Sequence, residues 1–185
     1  LDLLENLSNY KIFNDISFKF ALVESFSKKK IEKILLRRNW QLHSNNREGN
    51  NMNYKFQSIF ISLRWDSFER ILNISDIVIS MSGTAAEQAV GLFKPVIQIE
   101  GPGPQFTSSF AYAQRRLLGN YVFCATNYKS NNEKIQKTIE IIFKVMYLLK
   151  LDKNFLISCK KIAKSRLGEI GASFKISKNI NDNFE

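Results

Sequence analysis

Two short stretches of this sequence hold residue types whose spacing could do chemistry. The first is Ser82-Gly83-Thr84-Ala85-Ala86-Glu87-Gln88. A small residue and a glycine leading into a helix leave backbone N–H groups at Gly83 and Thr84 free to face an anion, and Glu87 could accept hydrogen bonds from a vicinal diol such as ribose. The same spacing also reads as a capping box, in which Thr84 and Glu87 satisfy the helix's own orphan donors and nothing binds. The second stretch is Gly101-Pro102-Gly103-Pro104-Gln105-Phe106. Its glycines permit close backbone approach to a ligand, its prolines hold a shape, and Gln105 can both donate and accept. Phe106 could stack on a base or a sugar. A rigid turn that only aims the next helix would use the same residues. Spacing alone leaves both pairs of readings open.

The elements that must position these residues are legible around them. Ser75 to Glu100 reads as strand, tight glycine turn, short helix and second strand, with the β-branched run Ile77-Val78-Ile79 expected of a strand buried on both faces. The two candidate loops therefore follow successive strands and should lie side by side at the carboxyl edge of a sheet, where α/β proteins bind ligands. Further strands are predicted over 18–23, 40–43, 57–63, 76–80, 95–99 and 121–123. Helices are predicted over 27–38, over 66–72 with Asp66 as cap, and over 107–118. His43 to Asn53 is polar and aperiodic and reads as a mobile surface loop. From Asn131 onward Ile135, Ile139, Ile142 and Met146, then Leu156, Ile162 and Leu167, mark long helices. The pattern predicts an α/β, Rossmann-like, three-layer α/β/α domain with a mainly parallel sheet of about six strands over 1–127. The helices of 128–185 would flank the sheet or reach toward a missing partner.

Composition narrows the function classes. The chain has 185 residues, 44% of them hydrophobic, enough for one sizeable core. Its net charge of +10 points to a polyanionic partner such as nucleic acid, an anionic membrane surface or a phosphate-bearing small molecule, while a Lys- and Asn-rich compositional habit gives the same number. The two cysteines, Cys124 and Cys159, have no neighbour at metal-ligand spacing, so neither a metal site nor a disulfide framework is expected, and the chain reads as intracellular. No apolar run approaches the roughly 20 residues that span a bilayer. The chain begins at Leu1 and reads as a piece of something longer. The single histidine, His43, sits in the polar stretch, so no Ser-His-Asp triad can be assembled. Lys28-Lys29-Lys30 reads as the solvated start of a helix.

Together G-T-A-A-E-Q-A-V-G-L-F-K-P, G-P-G-P-Q-F and F-A-Y-A-Q-R-R-L-L-G, all between Asp76 and Gly119, resemble the lipid-A-disaccharide synthase-related proteins known from cyanobacteria. The upstream A-L-V-E-S-F and the later R-L-G-E-I-G-A-S extend the resemblance over most of the chain. It implies the C-terminal, nucleotide-sugar-binding domain of a GT-B glycosyltransferase, whose N-terminal domain would hold the acceptor and the general base. It further implies UDP-sugar as donor substrate, no metal or other cofactor, and a lipid-linked or membrane-associated acceptor. The implied location is cytoplasmic and peripheral on the membrane, with no specific nucleic acid as partner. By the same resemblance Gly83 and Thr84 approach the diphosphate, Glu87 binds the ribose hydroxyls and Gln105 contacts the sugar, with Ser82, Gln88, Gly101, Gly103 and Phe106 as further substrate-binding residues. The catalytic residue is not identified. One departure stands out: the synthase proper carries a Gly-Ser-Arg element after its first strand, whereas this chain has Glu24-Ser25-Phe26-Ser27, so a carboxylate opposes the diphosphate and Ser25 retains one donor. The alternatives are an enzyme resembling UDP-N-acetylglucosamine 2-epimerase, a degenerate scaffold, and a basic nucleic-acid-binding module.

Overall fold

The computed structural model describes residues 1–46, 51–65, 67–101, 107–168 and 171–184. The chain forms two compact units, one of residues 1–75 with 129–139 and one of residues 76–128 with 140–185.

The first unit is built on a four-stranded mixed sheet. Strand β1 (Phe18–Leu22) pairs parallel with β4 (Ile59–Trp65), which pairs antiparallel with β3 (Asn51–Phe56), which in turn pairs antiparallel with β2 (Gln41–Asn46). Along β4 the residues Ile59, Ile61, Leu63 and Trp65 are all buried, the period-two pattern of a strand with one face on a core. Leu7 of helix α1 (Asp2–Leu7), Leu35 of α2 (Lys28–Arg37) and Trp40 join that core, and α3 (Phe68–Ile74) follows β4. Helix α2 ends at Arg37 with Arg38 as its C-cap, Asn39 beyond it takes a φ of 63°, the left-handed closure that asparagine tolerates, and the Trp40 amide returns to the Leu35 carbonyl.

Two sequence expectations change here. The polar stretch from His43 to Asn53 is largely strand: β2 runs to Asn46 and β3 starts at Asn51, only 47–50 lying outside the described residues. Cross-strand pairing decides the matter, because it buries Met52 and Tyr54 and lets Ser62 Oγ donate to Asn53 Oδ1 at 2.5 Å. The strand expected over 57–63 begins two residues later, since Gln57 and Ser58 form the tight turn between β3 and β4. Gln57 takes φ 51°, and its side chain accepts from Ser8 Oγ at 2.8 Å. Helix α3 has Ser67 at its N-cap, and Asp66, the expected cap, lies outside the described residues.

A charged knot ties the start of the chain to this core. Arg38 grips Glu5 through two parallel bonds, Nε to Oε1 at 2.8 Å and Nη2 to Oε2 at 2.5 Å, and also pairs with Asp2. The buried Trp40 donates its indole N–H to Glu5 Oε1 at 2.9 Å. The Arg38 bonds hold the Glu5 carboxyl below its ordinary value of 4.5, with Trp40 acting in the same direction and partial burial opposing them.

The second unit carries the region that sequence marked most strongly. Strands β5 (Val78–Ser80), β6 (Val96–Gln98) and β7 (Val122–Cys124) form a parallel sheet in that order. Helices α4 (Gly83–Gly91) and α5 (Ser108–Leu118) make the two βαβ connections. Val96, Ile97 and Val122 are fully buried, as are Ala86 and Ala89 of α4. The long α6 (Asn131–Leu151) contributes Ile142 and Val145 to this core, and α7 (Phe155–Leu167) and α8 (Ala172–Phe184) follow. In place of one sheet of about six strands, the described residues thus pair as a mixed four-stranded and a parallel three-stranded sheet. Among them no helix is long and apolar enough to cross a membrane.

Packing of α5 on α7 rests on Gly119. Its φ of 102° with ψ near −179° is a region open essentially to glycine, and a Cβ there would stand 2.4 Å from Ile162 Cγ2. Gly119→Ala should therefore cost about 3 kcal/mol, combining backbone strain with overpacking, read as a lowered thermal midpoint. For the charged knot, Glu5→Gln should cost about 1–2 kcal/mol near neutral pH. Because the Glu5 pKa is depressed on folding, its contribution is full above pH 4.5 and is lost as pH falls through the lowered folded value. Denaturant titrations from pH 7 to pH 3 should show the gap between wild type and Glu5→Gln closing on the acid side.

Candidate functional site

The three parallel strands of the second unit end in one row. Register places Ser80 beside Gln98 and Gln98 beside Cys124, so these side chains share a face at the carboxyl edge of the sheet. All three are buried, and each closes an otherwise apolar run.

Each member of the row has a distinct state. Ser80 Oγ accepts from the Ser82 amide at 3.0 Å and donates to the Ser82 carbonyl at 2.9 Å, a clasp that fixes the turn between β5 and α4. Gln98 is 3% exposed, and neither its amide nitrogen nor its oxygen has a hydrogen-bond partner among the described residues. Burial pushes the Cys124 thiol pKa up, Arg115 opposing and Glu100 adding to the rise. Cys124 and Cys159 are both free thiols.

The turn beside this row starts α4. Ser82 is the N-cap, yet its side chain makes no capping bond, and the first-turn amides of Gly83, Thr84 and Ala85 have no partner among the described residues. That overturns the capping-box expectation. Thr84 lies inside the helix rather than at its cap, and Glu87 sits in the second turn, exposed, as does Gln88. A capping carboxylate must stand three residues after the cap, a position held here by Ala85.

Gly83 has a packing reason to be glycine. A Cβ there would stand 3.1 Å from Phe110 Cζ and 3.2 Å from Gln114 Nε2, both on α5. Gln114 is itself buried, and its Oε1 has no hydrogen-bond partner among the described residues. Two carboxamides with unused hydrogen-bonding capacity therefore belong to this end of the unit: Gln98 on the sheet and Gln114 against the first residue of α4. The free amides of α4 can stabilise an anion, and a carboxamide can read a group that presents a donor beside an acceptor.

Of the residues singled out in the sequence, Ser82, Gly83, Thr84, Glu87 and Gln88 occupy this turn and its helix. Gly101 lies three residues beyond β6. Gly103, Gln105 and Phe106 lie outside the described residues. The helix expected from Thr107 begins there, with Thr107 Oγ1 capping it by accepting from the Phe110 amide at 3.3 Å. Ser25 and Glu24 belong to the first unit, exposed on the turn after β1. His43 lies on β2, its ring edge-on to Phe60 with centroids 5.1 Å apart. Arg115 and Arg116 are both exposed on the last turn of α5.

Sequence reasoning passed over Gln98 and Gln114. The available signal was the polar residue ending Val96-Ile97-Gln98, since a strand buried on both faces has little use for an amide. Among the described residues no group of three or more His, Cys, Asp or Glu side chains is placed to hold a metal ion. Comparison with protein families, with characterised proteins and with solved structures yields no match to this chain.

Proposed function

We propose that this chain is the UDP-sugar-binding half of a glycosyltransferase resembling lipid A disaccharide synthase, moving a glycosyl group to a lipid-linked or membrane-associated acceptor. The observation that carries the reading is the carboxyl edge of β5-β6-β7, where the uncapped amides of α4 stand in the same unit as a buried carboxamide, Gln98, with both ends unsatisfied. An unmet buried amide costs about 1–3 kcal/mol, so its retention is accounted for by a ligand that completes it.

In this reading the amides of Gly83 and Thr84 meet the diphosphate, substituting backbone dipoles for a divalent ion as the leaving group departs. Glu87, exposed one turn along, accepts from the ribose hydroxyls, with Gln88 beside it. By resemblance alone Gln105 contacts the sugar, and Gly101, Gly103, Phe106 and Ser25 join the substrate-binding set. The finer fold that goes with it is the C-terminal domain of a GT-B enzyme. The acceptor and general base would belong to an N-terminal domain, and the assembled protein would work in the cytoplasm, peripheral on a membrane. Donor and acceptor must be brought into attack geometry together, so the chain by itself should bind without turning over.

Calorimetric titration with UDP, UDP-N-acetylglucosamine and ADP tests the reading. Selective binding of the two uridine compounds is expected, weakened about tenfold or more in Glu87→Ala through lost hydrogen bonds to the diol. Gln98→Leu separates ligand recognition from structure: it should raise stability by about 1–3 kcal/mol by removing an unsatisfied amide while weakening UDP binding. Equal affinity for ADP, or a folded chain that binds none of the three, would count against the proposal.

A further inference from the structure

We infer that helix α2 and the turn before it form a docking surface for an anionic lipid bilayer. The inference rests on the membrane-peripheral part of the proposed function and gives it a surface, but its observations lie in the first unit alone and use none of the nucleotide-sugar site.

Lys29, Lys33 and Arg37 recur at every fourth position and so form one stripe along α2, with Lys30 beside it. All four are exposed, and no carboxylate pairs with them among the described residues. The opposite side of the helix is its anchor, where Leu35 is 2% exposed. A solvated basic face would carry only polar residues along its borders. Here the borders are apolar: Ile34 on one side is 51% exposed and Leu36 on the other 52%.

The turn leading into α2 extends the same character. Val23 and Phe26 are 61% and 55% exposed. The backbone that carries Phe26 is held firmly, because its carbonyl accepts from the Trp65 indole N–H at 2.9 Å and its amide donates to the Val23 carbonyl at 3.0 Å. Lys28 lies over the Trp65 ring at 5.4 Å and is spent on that contact. The only acids in the segment are Glu24, exposed in the turn, and Glu32, half-buried on α2.

Cations alone would suit any polyanion. Cations flanked by aliphatic and aromatic side chains on an anchored segment suit the boundary between headgroups and acyl chains, where lysine and arginine stems lie along apolar surface and their charges reach the phosphates. A nucleic-acid backbone offers nothing for Ile34, Leu36, Val23 and Phe26 to bury. Each basic residue near an anionic leaflet contributes about fivefold to partitioning, so four produce a reversible, salt-sensitive attachment.

Vesicle flotation tests this with the whole chain. The protein should float with phosphatidylcholine vesicles containing phosphatidylglycerol and stay behind with phosphatidylcholine alone, and added salt should release it. Lys29→Glu with Lys33→Glu should lower partitioning by at least about 25-fold. Ile34→Ser with Leu36→Ser should lower it further at fixed charge. Both pairs are exposed, so the circular dichroism spectrum and the UDP titration should be unchanged, which keeps this outcome separate from that of the donor site. Equal flotation with neutral vesicles, undiminished flotation of the charge-reversed variant, or tighter binding of the chain to a duplex oligonucleotide than to the anionic vesicles would overturn the inference.

Discussion

The second unit turns on a constraint of parallel pairing: strands that run the same way end at the same edge, and what stands on their last residues is set side by side by register. In this chain that row is Ser80, Gln98 and Cys124. One step back on the same face stand Val78, half-buried, and Val96 and Val122, fully buried. The sheet's polar capacity is thus concentrated at its carboxyl edge, where the serine is spent on closing the turn into α4 and the glutamine finds no partner among the described residues. A buried carboxamide without partners is a standing cost of folding, and the free amides at the start of α4 are the natural neighbours of an anion. Both features turn favourable on binding the same kind of ligand, one with a phosphate and a group that offers a donor beside an acceptor.

What was legible in the sequence follows from locality. The β-branched run before Gly83 favours a strand and the small residues after it a turn, although β5 is not buried on both faces as expected: Val78 is half-buried and Ile79 is 39% exposed. Strands β5, β6 and β7 and helix α5 accordingly fall within about two residues of their expected limits. The β3–β4 hairpin was not legible, because its turn uses Gln57 in a left-handed conformation in place of the glycine or asparagine that signals one. Nor could composition reveal that the Asn-rich stretch pairs as strand, since Met52 and Tyr54 gain their burial from a partner strand. Helix α1 is six residues long with no side-chain cap, too short to announce itself. At the site, the turn was found from spacing. Gln98 was signalled only by the polar residue ending Val96-Ile97-Gln98; that its amide has no partner among the described residues is a property of three dimensions.

The basic composition finds a local cause in part. Arg38 is committed to the Glu5–Asp2–Trp40 knot that fastens the start of the chain, and Lys28 to the Trp65 ring. Lys29, Lys30, Lys33 and Arg37 instead line the open side of the same helix without carboxylate partners among the described residues. Cations over about three turns of chain, Lys28 to Arg38, thus divide between structure and surface by which side of the chain they stand on. That division is what turns an overall charge of +10 into an argument about one place.

The central claim, that the carboxyl edge of β5-β6-β7 is a ligand site, is tested most directly by following amide resonances of the isotope-labelled chain as UDP is added. The account predicts that the backbone amides of Gly83, Thr84 and Ala85 and the side-chain amide of Gln98 shift together and saturate together. Saturation with UDP that leaves these resonances in place, or shifts confined to residues of the first unit, would contradict it.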